Sequence, residues 1–170
     1  GGLGCGGVWK IDTAGKETVL YPFLGGNDGA TPYGGVVMGK NGDLYGTTEL
    51  GGAYTGGVLF QLTTAGAETV LYSFSAWPDD GWWPFAPPVL DSAGNLYGTT
   101  SAGGYQTVGT VYKIDTTGKE TILHFFEGTN DGGNLYGRVI MDSSGNLYGV
   151  TSAYGKYGQG VVFKISPDAQ

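Results

Sequence analysis

The stretch "DSAGNLYGTT" at residues 91–100 returns as "DSSGNLYGVT" at 142–151, and a relative, "GKNGDLYGTT", occupies 39–48. Tyr45, Tyr97 and Tyr148 are therefore 52 and 51 residues apart. A catalytic constellation is normally needed once, whereas a structural unit must recur at a fixed interval. Other landmarks keep the same beat. Ile11, Leu62, Ile114 and Ile165 sit in "VWKID", "LFQLT", "VYKID" and "VFKIS"; Glu17, Glu68 and Glu120 open "ETVLYPF", "ETVLYSF" and "ETILHFF"; Asp28, Asp80 and Asp131 each precede a glycine. A period of about 40 to 50 residues carrying several short strands is a signature of β-propeller blades.

One copy, residues 33–74, reads as four successive strands. "PYGGVVMG" is followed by an Asn-Gly type of turn, then "DLYGTTE", a glycine-rich loop, and "VLFQLT" and "ETVLYSF" joined by the turn "TAGA". Stretches such as "TVLYSF" are apolar on both faces, which suits a sheet stacked between two others. Within the motif, the Asp and Gly suit a hairpin turn, the Tyr ring is expected between sheets, and Gly98 permits a close backbone approach. The fold class is thus all-β: a β-propeller-like array of four-stranded antiparallel blades, about three repeats of 51–52 residues with split terminal blades. The expected divisions are a partial blade over 1–26, blades over 27–77 and 78–128, and a partial blade over 129–170. Three blades are too few for a ring, since propellers close with about four to eight. The cut ends therefore predict self-association into a homo-oligomeric ring or a filament, or a place in a longer array.

Composition agrees with a folded chain. Thirty-five glycines among 170 residues accompany 40% hydrophobic and 14% aromatic content, placed periodically. A net charge of -7, without a basic cluster, argues against nucleic acid as a partner. No apolar run approaches the roughly 20 residues of a membrane span, and "GGLGCGGVWK" at the start has no signal-peptide core. The chain reads as soluble, and as processed or cut from something longer. Cys5 is the only cysteine, so an internal disulfide and a cysteine-based metal cluster are excluded.

Alternating strand direction puts the tight turns on one face and the long, variable loops on the other, where binding is generally placed. That second face carries Tyr54, Tyr105, Tyr154, Tyr157, Trp77, Trp82 and Trp83, the candidate ligand-binding residues, with glycan as the first-guess ligand. The competing role for these rings is wedging between blades. Asp28, Asp80 and Asp131 in "NDG", "DDG" and "NDG" offer oxygens for Ca²⁺, yet they lack the spaced ligands of a calcium loop and equally suit turns. No other cofactor is implied. His124, the single histidine, aligns with Tyr21 and Tyr72, so it reads as a packed substitute for tyrosine. No nucleophile–base set, zinc spacing or phosphate loop is present, and adjacent Asp79 and Asp80 make a poor acid/base pair. No catalytic residue is assigned.

The ordered set "VVFKI", "ETVLYSF", "DGATPY" and "DSAGNLYGTT" with its glycine-rich loop resembles the GloVer-type extracellular repeats of bacterial choice-of-anchor proteins, over nearly the whole chain. The resemblance implies a secreted or surface-attached bacterial protein with a propeller-like fold, and no catalytic residues. The chain departs from the repeat in the long crossing "SAWPDDGWWPFAPP" and at Asn134 and Leu135, where the first copy has Thr31 and Pro32. Three functions remain in order: a non-enzymatic extracellular scaffold assembling head-to-tail, a carbohydrate-binding module, and a polysaccharide-active enzyme.

Overall fold

The computed structural model describes residues 4–75 and 79–166. Its regular elements are all β-strands, paired antiparallel. Sheet one pairs β1 (Gly7–Ile11) with β2 (Glu17–Pro22). Sheet two places β3 (Val36–Met38), β4 (Leu44–Thr48), β5 (Val58–Leu62) and β6 (Glu68–Ser73) side by side. Then comes β7 (Gly81–Trp82), followed by β8 (Val89–Leu90), β9 (Leu96–Thr100), β10 (Ala102–Gly103), β11 (Thr110–Ile114) and β12 (Glu120–Phe125). Sheet three has the order β12-β11-β9-β8, while β10 pairs back to β7 as a separate ribbon. Sheet four contains β13 (Ile140–Met141), β14 (Leu147–Val150) and β15 (Val162–Ile165).

Consecutive sheets bury both faces of the one between them. Val58, Phe60 and Leu62 of β5 join Val8 and Phe23 on the side of sheet one. Leu59, between them in sequence, joins Phe74 and meets Leu96, Tyr112 and Ile114 of sheet three. Tyr97, Val111 and Leu123 of sheet three then pack with Leu147 of sheet four and with Leu135 and Val139 of the preceding crossing. Because side chains alternate across a strand, a strand buried on both faces must be apolar throughout. Each fully buried Leu, Val or Phe contributes about 1.5–3 kcal/mol, so these three junctions hold the array together.

The repeated motif is a unit of this frame. Asp91 Oδ1 accepts hydrogen bonds from the amides of Ala93 and Asn95, both at 2.9 Å. Its Oδ2 accepts from Asn95 Nδ2 at 2.7 Å and from the Tyr97 hydroxyl at 3.1 Å. Asp142, Asn146 and Tyr148 repeat the arrangement. Burial alone would raise the Asp91 carboxyl, but these donors outweigh it and hold the group below its ordinary value. The donors to Asp142, Asn146 first among them, lower it to about 2. The earlier copy has Gly39 where the others have Asp, and Asp43 instead accepts from Gln61 Nε2 and the Thr64 amide. The final threonine completes the unit: Thr48 and Thr100 accept from the amides of Val58 and Thr110 and donate to the carbonyls of Leu50 and Ala102.

Three local details differ from the sequence reading. The closeness at Gly98 is to an aromatic ring, that of Tyr112 opposite it on β11, rather than to backbone. The first strand of sheets two, three and four shrinks to two or three residues, because the residues before it belong to the crossing. The β7–β10 ribbon leaves no mark in the sequence, since two residues show no periodicity. It has counterparts in isolated bridges, Ala30 to Leu50 and Gly133 to Ala153.

Candidate functional site

The crossings between sheets and the loops from second to third strands meet at these bridges. There Thr31, Trp83 and Asn134, at φ 56°, 57° and 57°, occupy equivalent positions. Each amide donates to a carbonyl of the preceding unit, that of Cys5, Gly56 or Val108. Each carbonyl accepts from an amide just beyond the second strand of its own unit, that of Glu49, Ser101 or Ser152. These residues therefore staple neighbouring units, and Asn134 performs the backbone role of Thr31 despite the change of side chain. A left-handed tryptophan is unusual, and its place in this staple accounts for the conformation.

The aromatic candidates do not form one continuous surface of contacting rings. Trp82 and Trp83 stack on each other at 4.9 Å with an interplanar angle of 5°. Trp82 is half-buried with its indole nitrogen enclosed and without a hydrogen-bond partner, whereas Trp83 keeps an exposed side. Tyr105 lies against Phe125 and donates to Asp79 at 3.0 Å. Tyr54 and Tyr157 are exposed, and Lys156 sits over the Tyr157 ring. Tyr154, at φ 63°, is partly exposed and takes part in a bridge to Gln159. Among the described residues no ring contact links Tyr54, Tyr154 or Tyr157 to the tryptophan pair. Trp77 lies outside the described residues.

The aspartates of the crossings form a more coherent set. Asp28 accepts from the amides of Leu24 and Gly26 and the Tyr21 hydroxyl. Asp80 accepts from the Ser75 and Gly81 amides, the Ser75 hydroxyl and Tyr72. Asp131 accepts from the Glu127 and Thr129 amides, with His124 Nε2 at 3.4 Å. Among the described residues no three or more His, Cys, Asp or Glu side chains are grouped to hold a metal ion. His124 occupies the same relation to its aspartate as Tyr21 and Tyr72 do to theirs, in keeping with the alignment.

The sequence reading used Glu68 and Glu120 only as spacing marks. Both fold against the tyrosine–aspartate pair of the preceding unit. Tyr72 donates to Glu120 Oε2 at 2.8 Å and to Asp80 at 3.0 Å, and Glu68 lies within electrostatic reach of Tyr21 and Asp28. Burial, then the neighbouring Asp80, pushes Glu120 up to about 8; burial, then Asp28, pushes Glu68 up to about 6. Burial first, and then Asp28, pushes Tyr21 up to about 12. One oxygen of each glutamate is enclosed without a hydrogen-bond partner. This pairing of a proton-holding carboxyl with a second carboxylate recurs at two junctions, as the repeating unit does. The signal was a glutamate recurring at the head of an apolar strand. A cleft of about 780 Å³ beside β12 is lined in part by Tyr105, Leu123, His124, Phe126, Glu127 and Thr129.

Among solved structures, the chain is similar to an X-ray structure of a proposed gluconolactonase, with 14% sequence identity and a TM-score of 0.50. The alignment covers 94% of this chain and 52% of that one, so the chain spans about half the length of the structure it matches. At this identity the likeness concerns the fold, and it agrees with a propeller-like arrangement. No curated protein matches. The Gloeobacter/Verrucomicrobia repeat matches residues 1–170, and the chain belongs to that family.

Proposed function

We propose that the chain is a non-enzymatic extracellular scaffold, extended head-to-tail by stacking further repeats of the same kind on its terminal sheets. One observation carries this reading. Ile11 is 58% exposed on the outer face of sheet one, while its counterpart Leu62 is 1% exposed where sheet one covers it. At the other end Val162 is 80% exposed, while its counterpart Val111, covered by sheet four, is 0% exposed. Trp9 and Val19 extend the first apolar face, and Ile140 and Val150 the second. These surfaces are the two halves of a junction that recurs inside the molecule. Head-to-tail contact of that type closes into a ring or grows into a filament. Light scattering should give a mass that is a multiple of 17.6 kDa and falls to one unit in a Trp9→Asp, Val162→Asp variant. A wild-type monomer at all concentrations would end the proposal.

A second reading, carbohydrate binding by the loop face, is favoured by the stacked Trp82–Trp83 pair and its exposed outer side. Retention on a glycan array that disappears in a Trp82→Ala, Trp83→Ala variant of unchanged mass would select it.

A further inference from the structure

We infer that Tyr33, Phe85, Tyr136 and Arg138 form a binding cleft for an acidic saccharide, with sugar rings against the three aromatic rings and a uronate carboxylate on the Arg138 guanidinium. The cleft is separate from the Trp82–Trp83 stack, and among the described residues no ring contact joins the two. Its walls come from the crossings into sheets two, three and four, across junctions inside the chain, and it does not depend on assembly.

The rings recur with the unit. Tyr33, Phe85 and Tyr136 each follow a staple residue, Thr31, Trp83 or Asn134, by two positions, so the fixed backbone there sets all three alike. Phe85 lies between the other two, with ring centroids 5.7 Å from Tyr33 and 5.2 Å from Tyr136. The chain beside the rings is held in place. The Thr47 hydroxyl donates to the Ala86 carbonyl at 3.1 Å, the equivalent Thr99 donates to that of Gly137 at 3.0 Å, and a Cβ added at Gly34 would meet the Phe85 carbonyl. Tyr33 and Tyr136 nevertheless stay 68% and 54% exposed, and among the described residues neither hydroxyl has a hydrogen-bond partner. The frame tyrosines Tyr21, Tyr72, Tyr97 and Tyr148, by contrast, all donate to aspartates.

Arg138 supplies a second, independent feature. It is the only arginine of the chain and stands where the other units have Gly35 and Pro87, so the frame does not require it. Among the described residues it has no ion-pair or hydrogen-bond partner, yet it lines a cleft of about 600 Å³ together with Tyr33, Phe85 and Tyr136. That volume is in the range of small-ligand sites. A guanidinium fork holds a carboxylate through two parallel hydrogen bonds, and aromatic rings with polar tips suit a ligand with apolar ring faces and hydroxyl edges. A uronic acid chain combines these groups along its length. A neutral sugar leaves the guanidinium unanswered, and an aromatic acid leaves the two phenols unanswered.

Calorimetric titration of the intact chain with trigalacturonate and with its methyl ester tests this. The acid should bind with a Kd of about 1 mM or tighter. The ester, which keeps the rings and loses the charge, should bind at least about tenfold more weakly. Arg138→Gln should weaken the acid to the level of the ester while shifting the melting temperature by less than about 2 °C, because the side chain is exposed and unpartnered. A Tyr33→Ala, Tyr136→Ala variant, also changed only at exposed side chains, should weaken acid and ester alike. No binding of the acid to wild type, equal affinity for acid and ester, or unchanged affinity in Arg138→Gln would overturn the inference. Binding lost in Trp82→Ala, Trp83→Ala but kept in Arg138→Gln would overturn it too, and would put the saccharide on the tryptophan pair instead.

Discussion

The ring of Tyr112 lies over Gly98, the residue directly opposite it across β9 and β11, so that a Cβ at position 98 would fall inside the ring's contact distance. Phe60 stands in the same relation to Gly46, where an added Cβ would lie 2.7 Å from the ring, and Phe163 to Gly149. The glycine of the recurring motif is thus required by a neighbour fourteen residues further along the chain.

Gly98→Ala is expected to lower stability by about 1–3 kcal/mol, because Tyr112 is fully buried and has no free volume to enter. Gly26→Ala, where an added Cβ meets nothing within 4 Å, should change it by less than about 0.5 kcal/mol. Urea denaturation of both variants checks the contrast.

Asp91 and Asp142 titrate below their ordinary value in the folded chain, Asp142 at about 2. The unfolded chain therefore takes up protons first as pH falls, and the stability these groups provide is present above about pH 4 and lost on descending toward pH 2. Asp142→Asn should be less stable than wild type at pH 7, with the gap narrowing by pH 2. Thermal melts at the two pH values measure it.

Glu120 shifts the other way. With its carboxyl at about 8 in the folded chain against an ordinary 4.5, the folded state holds the extra proton between those values. The stability this group provides is fully present below about 4.5 and is lost as pH rises toward and through 8. Glu120→Gln, which keeps an acceptor for Tyr72 without the charge, should gain stability over wild type at pH 8 and little at pH 5. Denaturant titrations at both pH values decide this, and an equal effect at each would remove the electrostatic explanation.

Trp83→Asn substitutes the residue found at the equivalent staple. It keeps both backbone bonds and eases the left-handed φ by about 1 kcal/mol, against about 0.5–1.5 kcal/mol of lost stacking on Trp82. Stability should stay within about 1 kcal/mol of wild type. Trp83→Pro removes the amide that donates to the Gly56 carbonyl and forbids the positive φ, and should cost about 3 kcal/mol or more; scanning calorimetry of both variants checks the contrast.

The sequence by itself determined the repeating unit, because side-chain periodicity and turn chemistry are local. The two-faced apolar strands, the aspartate-capped hairpins and the family resemblance were all legible, and His124 could be aligned with Tyr21 and Tyr72. Contacts between units were not legible. Glu68 and Glu120 are only spacing marks until the preceding unit's Tyr–Asp pair closes over them. The positive φ that Trp83 shares with Thr31 and Asn134 leaves no mark in the sequence. The two-residue ribbon of β7 and β10 leaves no periodic trace. Only the tertiary structure decided these, since a residue's burial, its proton affinity and its backbone conformation depend on which neighbour the stacking of sheets brings against it.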